Sequence, residues 1–471
     1  MALDFLSILV IFVVVSGIVT FLIKKFTKND TWFLISLIKT KKPIPWFDKF
    51  AKHKKFLDVF ANVGMILGFG AVAVDYLLGR KLPIVKRTAL FVVSTLLLSG
   101  LIYAFDFFMG NSLSGSVIVG PFFTFVALSF GLLGFAGFSL FALFLQAYDI
   151  ILKYLIGVKG CPGVAPLIPG VEIPGVPITP PLHAWLSLLI ILVVHEGMHG
   201  ILGRRHGFKI KSTGVLLLGF LPIGAFVEPD EKEMQKAKAD KILPFLAAGP
   251  TSNLALMLLT ALVVFPALAV FPAVTDSLFP GVQDSILNGV KVNSVLEQTS
   301  FCGSVYDSPS LGNFQPDDVI VAVNGIAINN VSDLFKVLQT NKFVAKTFLL
   351  DRKGERVEVK LQPNELGQFG FVPESIINED YSPPESFFFY GITVSLVLEF
   401  LYWLFFLNFL VAIINFLPMH PFDGGRMSVK LFAPYLMTLG FKEEAAEKAV
   451  QKFFLILILA LFFINALPLF I

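Results

Sequence analysis

About eight long apolar stretches decide what this 471-residue chain can become. The first is MALDFLSILVIFVVVSGIVTFLI. Others fall near 57–78, 88–109, 118–156, 182–203, 246–272, 387–418 and 453–471. A hydrocarbon core ~30 Å thick is crossed by about 20 helical residues. Inside lipid each backbone N–H and C=O must pair within its own segment, so these runs are read as helices. Composition agrees: 55% of residues are hydrophobic and 15% charged, against about 25% charged in soluble domains. The expected fold is a polytopic α-helical membrane protein of about eight spans. Two stretches are ambiguous. The glycine-interrupted 118–156 run reads as one tilted helix or a tight pair. The 387–418 run reads as a surface-lying aromatic segment followed by a span ending near Asn415.

The lipid bilayer is therefore an expected partner, and nucleic acid is not. Net charge is only +3, and no basic arm or aromatic-basic interleaving is present. The 52 phenylalanines suit lipid-facing and helix-packing surfaces. The N-terminus lacks a basic segment before its apolar run and a small-residue cleavage site after it, so it reads as a retained anchor. Cys161 and Cys302 have no zinc-ligand spacing to another thiol; they could pair outside the cell, but two isolated thiols is the commoner case, and any metal site must then use nitrogen and oxygen.

Basic residues give an orientation, because cytoplasmic loops are enriched in them. Lys24, Lys25 and Lys28 put the end of the first helix in the cytoplasm. Arg204, Arg205, Lys209, Lys211 and Lys232–Lys241 do the same for the loop after 203, and Arg426 to Lys452 for the segment after 423. The stretch from 272 to 387 is then external. One loop conflicts with simple alternation: 79–87 carries Arg80, Lys81, Lys86 and Arg87. Either the 57–78 segment is re-entrant, or the bias fails locally.

Residues 280–365 break the membrane pattern. VKVNSVL, DDVIVAVNGIAI, KTFLLDRKG and ERVEVKLQ are rich in β-formers, with Asn324-Gly325 and Lys353-Gly354 as turns. VSDLFKVLQT between them has helical spacing. A small soluble β-rich domain is expected. Before it, GCPGVAPLIPGVEIPGVPITPP at 160–181 is too proline-rich for regular structure, and reads as a site entrance or a stiff connector.

The chemistry centres on His195-Glu196-Gly197-Met198-His199, which lies inside an apolar run. Ionisable groups at membrane depth are costly and are functional candidates by default. Residues four apart share a helix face, so His195 and His199 can bind one metal, with Glu196 placed to take a proton from water there. The rival is a chance pattern in a helix. A catalytic zinc keeps three protein ligands and an open position. The third ligand is sought in Asp423, at the end of NFLPMHPFDGG, where prolines and glycines interrupt a later apolar helix. Taken alone, Asp423 serves equally well as a helix cap.

Together the two motifs, HExxH in one span and NxxPxxPxDG at the end of another, resemble the site-2 protease family of intramembrane metalloproteases. Asn415, Pro418, Pro421, Asp423 and Gly424 fit the second motif, and Gly249-Pro250-Thr-Ser-Asn253-Leu-Ala255 resembles the family's GPxxNxxxA segment. The resemblance covers about residues 160–471. It implies Zn2+ held by His195, His199 and Asp423, with Glu196 as general base. Asn253 would face the substrate or the oxyanion, or merely link spans, and Asn415 would orient or contact substrate. His420 is an additional histidine outside the ligand set. KIKSTGVLLLGFLPIGAFVEP is similar to the family's β-hairpin, which dips into the membrane and offers a strand edge to an unwound substrate; its rival is a plain surface hairpin. FQPDDVIVAVNGIAINNVSDLFKVL resembles a PDZ domain, implying an external filter.

The organisation this implies is an N-terminal transmembrane region of unassigned role (1–157), an external loop (158–181), a catalytic core in two parts (182–279 and 366–471), and the inserted PDZ-like domain (280–365). The implied activity is zinc-dependent cleavage of transmembrane segments in regulated intramembrane proteolysis at the cell membrane. Its substrates would be single-span proteins, with an upstream protease acting first on the same chain. An inactive scaffold or chaperone of the same fold, and a metal transporter, are the competing classes.

Overall fold

The computed structural model describes residues 5–27, 29–108, 120–158, 160–173, 176, 178–219, 221–301 and 304–470. In chain order its helices are α1 (Phe5–Phe26), α2 (Ile44–Phe50), α3 (Lys54–Val74, prolonged by a wide turn to Gly79), α4 (Ile84–Phe108), α5 (Phe123–Leu155) and α6 (Ala184–Arg205). There follow α7 (Glu231–Lys236), α8 (Ala239–Leu278), α9 (Val282–Ile286), α10 (Val331–Gln339), α11 (Glu385–Asn415), α12 (Asp423–Thr438) and α13 (Glu443–Ala466). Among the described residues seven helices are long and apolar enough to cross a membrane: α3, α4, α5, α6, α8, α11 and α13. The eighth expected run forms α1, also a helix.

Two of the seven are broken. α3 leaves helical geometry at Phe69–Gly70 and α5 at Gly134, both glycines having positive φ (53° and 56°). The breaks meet. A Cβ on Gly70 would stand 2.6 Å from the Gly131 carbonyl oxygen and 2.7 Å from Gly134 N, and one on Gly134 would fall on the Leu67 carbonyl. Only glycine permits both that conformation and that approach. The 118–156 run is thus two helical arms joined at one residue.

The 387–418 run has no surface-lying segment. α11 is continuous from Glu385 to Asn415, because its aromatic start packs on the end of α8. Phe387 meets Phe279, Tyr390 stacks on Phe271, and Phe405 meets Phe265. α8 itself runs 40 residues despite four internal prolines. α6, α8 and α11 form the central bundle, with Ile191, Trp403, Leu404 and Leu407 buried between them.

The hairpin after α6 is present as β3 (Ile210–Leu218) and β4 (Leu221–Pro229), but it is not alone. β1 (Asp30–Trp32) and β2 (Ile35–Thr40) extend it into one sheet in the order β1-β2-β3-β4, with Ile38 opposite Val215. β4 is left as the edge strand beside α6.

Beyond α8 lie β5 (Leu287–Val295), β6 (Gln298–Phe301), β7 (Ser304–Asp307), β8 (Val319–Val323), β9 (Ile326–Ala327), β10 (Lys346–Arg352), β11 (Glu355–Leu361) and β12 (Phe371–Ile377). The main sheet runs β11-β10-β8-β5-β12, so it continues past residue 365. Asn324-Gly325 and Lys353-Gly354 both take positive φ, as the tight hairpins require. Val290, Val292, Ile320, Leu334, Phe348 and Leu350 fill the core. Asp318 is buried there and accepts from Arg352 Nε at 2.8 Å and Nη2 at 2.7 Å.

The reading of two isolated thiols is overturned for Cys161, which is disulfide-bonded. Cys302 lies outside the described residues. The loop carrying Cys161 is pinned to the end of α13, with Gly163 N donating to the Asn465 carbonyl at 2.9 Å.

Candidate metal centre

Helical spacing brings His195 and His199 to one face of α6, both buried. Asp423 arrives from 224 residues away at the first turn of α12. His199 Nε2 lies 3.2 Å from His195 Nε2 and 3.1 Å from Asp423 Oδ2, and His195 Nε2 is 3.3 Å from that oxygen. Ligand atoms on a tetrahedral zinc, with bonds of ~2.0–2.1 Å, stand roughly 3.3 Å apart. The triangle fits such an ion.

Local sequence explains each position. Asp423 can start α12 because the 416–422 turn folds back over it. A Cβ on Gly424 would strike the Phe416 and Leu417 carbonyls, and one on Gly425 would lie 2.5 Å from His420 N. The two glycines therefore permit the turn, whose His420–Pro421 peptide is cis. On α8, Gly249 faces both imidazoles, and a methyl there would fall on Nε2 of His195 and of His199. Nothing larger than glycine leaves the ligand atoms clear.

The outer nitrogens of both rings are also held. His199 Nδ1 donates to the Phe245 carbonyl at 2.7 Å, which leaves Nε2 as a lone pair facing Asp423. The strand edge positions Glu196: its Oε2 accepts from Val227 N of β4 at 2.9 Å. The sequence points to neither backbone partner. For Gly249-Pro250 there is a signal, since a glycine and a proline stand side by side within an apolar run.

Asn253 does not face the space between the ligand atoms. It is fully buried behind His195, with Nδ2 3.1 Å from His195 Nδ1 and Oδ1 without a partner among the described residues. Metal binding through Nε2 requires Nδ1 to carry the proton and donate. A half-turn of the Asn253 amide presents Oδ1 to receive it. Asn253→Ala is accordingly expected to weaken zinc binding by about tenfold or more, with Asn253→Asp retaining affinity, as measured by chelator competition.

Asn415 donates Nδ2 to the Val411 carbonyl of its own helix at 2.9 Å. His420 stays outside the ligand triangle. It lines a cleft of about 790 Å³ with Val227, Glu228, Arg426 and Glu447. Burial lowers its pKa and nearby Arg426 lowers it further. His206 is half-buried at the end of α6, and its pKa is lowered by burial and by Arg205.

Two histidines and a carboxylate converging among apolar helices, with a glutamate alongside, form a candidate metal-binding set whose donors suit zinc. Comparison with known proteins agrees: the chain belongs to Peptidase family M50, the site-2 protease family, whose profile matches residues 183–461. An uncharacterized protein of Methanocaldococcus jannaschii is similar, 29% identical over 243 residues, which is 51% of this chain and 54% of the relative. The chain thus spans about half the length of that curated relative.

Proposed function

We propose that this chain is an intramembrane zinc endopeptidase that cuts transmembrane segments of single-span substrates, in the manner of regulated intramembrane proteolysis. The observation that carries this is the convergence of His195, His199 and Asp423 within 3.3 Å of one another. Zinc bound there supplies a Lewis acid and lowers the pKa of water toward ~7. Glu196 is the general base and later returns the proton to the leaving amine. Its hydrogen bond to Val227 sets it at the free edge of β4. An edge strand can receive an unwound substrate as an added strand. The catalytic glutamate and the receiving edge thus lie side by side.

The orientation proposed is cytoplasmic for the hairpin side and external for the β domain, which has a PDZ-like sequence and would filter substrates already trimmed by another protease. A disulfide at Cys161 suits an oxidising outer face. The conflicting basic loop fits once α3 is taken as re-entrant. Asp58 near its start pairs with Arg205 at the end of α6, at 2.7 Å. Tyr76 and Leu77 near its end join Met234, Ala237 and Ile242, the chain that enters α8. Both ends then lie on one side, and Arg80, Lys81, Lys86 and Arg87 stay cytoplasmic.

The test is metal analysis of purified full-length protein beside cleavage of a model single-span substrate in proteoliposomes. About one zinc per chain and cleavage within the apolar segment are expected, with Asp423→Ala losing both. Well-folded protein with neither zinc nor cleavage would overturn the reading. Zinc without cleavage would favour a scaffold, and metal uptake without proteolysis a transporter.

A further inference from the structure

The N-terminal region lies outside the family match, yet it grips the element that carries Asp423. Asp75 is 2% exposed and accepts from Arg87 Nε and Nη2, each at 2.6 Å. Its Oδ2 also accepts from the Tyr435 hydroxyl at 2.5 Å. The Arg87 guanidinium stands 5.7 Å from the centre of the Tyr435 ring. Asp75 and Arg87 flank the α3–α4 connection, whereas Tyr435 is on α12, three turns after Asp423. The same helix is held again at Phe432, whose ring meets Phe69 at 6.5 Å.

The other end of the Asp423 turn is seated on the crossing of the two broken helices. A Cβ on Gly68 would fall on the Phe416 ring, so that ring lies flush against α3. Phe135, one residue beyond the α5 break, stacks on the same ring at 6.3 Å. Phe416 opens the 416–422 turn, and its carbonyl abuts Gly424. From Phe416 to Tyr435, the segment bearing the third ligand is therefore fixed by α3, α5 and the connection to α4.

We infer that the α3–α5 crossing and the Asp75–Arg87–Tyr435 clamp position Asp423 against the two histidines. The metal affinity of this chain then depends on residues outside its peptidase region. This rests on the zinc-centre reading above. Physically, the His195–His199 pair is set within one helix, while the distance to Asp423 is set only by how α12 is held. Removing the Asp75 charge leaves the Arg87 guanidinium without its anion and the Tyr435 hydroxyl without its acceptor, so breaking the clamp moves the groups around it. A shift of α12 passes directly to Asp423 at its first turn.

The experiment uses the full-length protein with Asp75→Asn and Tyr435→Phe. The second removes one hydroxyl, keeps the ring packing and guards against simple misfolding. Asp318→Asn, which breaks a comparably buried arginine pair in the β domain, is the matched control. Half-release of zinc to a competing chelator is expected at about tenfold lower chelator in Asp75→Asn, in the same direction in Tyr435→Phe, and unchanged in Asp318→Asn. The Co2+-substituted absorption spectrum should change in the first two only. With a model single-span substrate, kcat should fall while KM holds. Clamp variants that melt earlier but release zinc like wild type, or a control that loosens zinc equally, would overturn the inference. Wild-type protein that takes up no zinc would overturn the metal-centre reading itself, which this design separates from failure of the clamp.

Discussion

Glu196→Gln is expected to slow cleavage of a transmembrane substrate by ~10²–10⁴-fold while zinc content stays at the wild-type level. Glutamine keeps the length and planarity of the side chain, and its amide oxygen can still accept from Val227 N. What it cannot do is take a proton from water and return it to the leaving amine. The three groups proposed as ligands are untouched, because Glu196 is not among them. Binding and chemistry should therefore separate, with kcat lost and KM little changed. The measurement is single-turnover cleavage in proteoliposomes beside metal analysis of the same preparation. A Glu196→Gln variant that cuts at the wild-type rate would remove Glu196 from the mechanism. A variant that loses zinc would make it a structural support of the centre.

The parts of this molecule legible from sequence are those where local chemistry and tertiary demand coincide. His195 and His199 are four apart in an apolar helix, and that spacing alone places them on one face. Asn324-Gly325 and Lys353-Gly354 name their own turns, because few other residue pairs take positive φ twice. Asp423 is only half legible. A carboxylate after a proline-broken helix is as good a cap as a ligand, and only the imidazoles across the bundle distinguish the two. β1 and β2 leave no mark in the sequence because they are three and six residues long. Such strands exist through pairing with β3, which no local pattern announces. Gly70 and Gly134 are hidden in a different way. Glycine is common in membrane helices, and nothing in the sequence separates one that merely packs from one that breaks the chain. β12 falls past the expected boundary because turn-rich QPNELGQFG precedes it, and its partner β5 lies far earlier in the chain, with Phe371 opposite Val295. For Asn253 the motif names the neighbourhood, and the contact of its amide with His195 Nδ1 is set by how α8 packs on α6. Motif spacing gives proximity, not direction.

Gly249→Ala is expected to abolish zinc retention, lowering affinity by roughly 100-fold or more, about 2.7 kcal/mol. The added methyl falls on the metal-facing nitrogens of both histidines, so α8 must retreat or the rings must turn away. Retreat of α8 would disturb the Phe245 carbonyl that His199 relies on and the Asn253 amide at His195. The variant should fold, since alanine in a helix interior is favoured over glycine by about 1 kcal/mol. Lost zinc would then report the obstruction itself. Gly197→Ala makes the contrast sharp. It lies between the same two histidines, on the same helix, but a Cβ there meets nothing within 4 Å. It should bind zinc and cleave substrate within a few-fold of wild type. Equal zinc content in the two variants, measured after dialysis against a weak chelator, would mean that the space beside Gly249 is not where the ion binds.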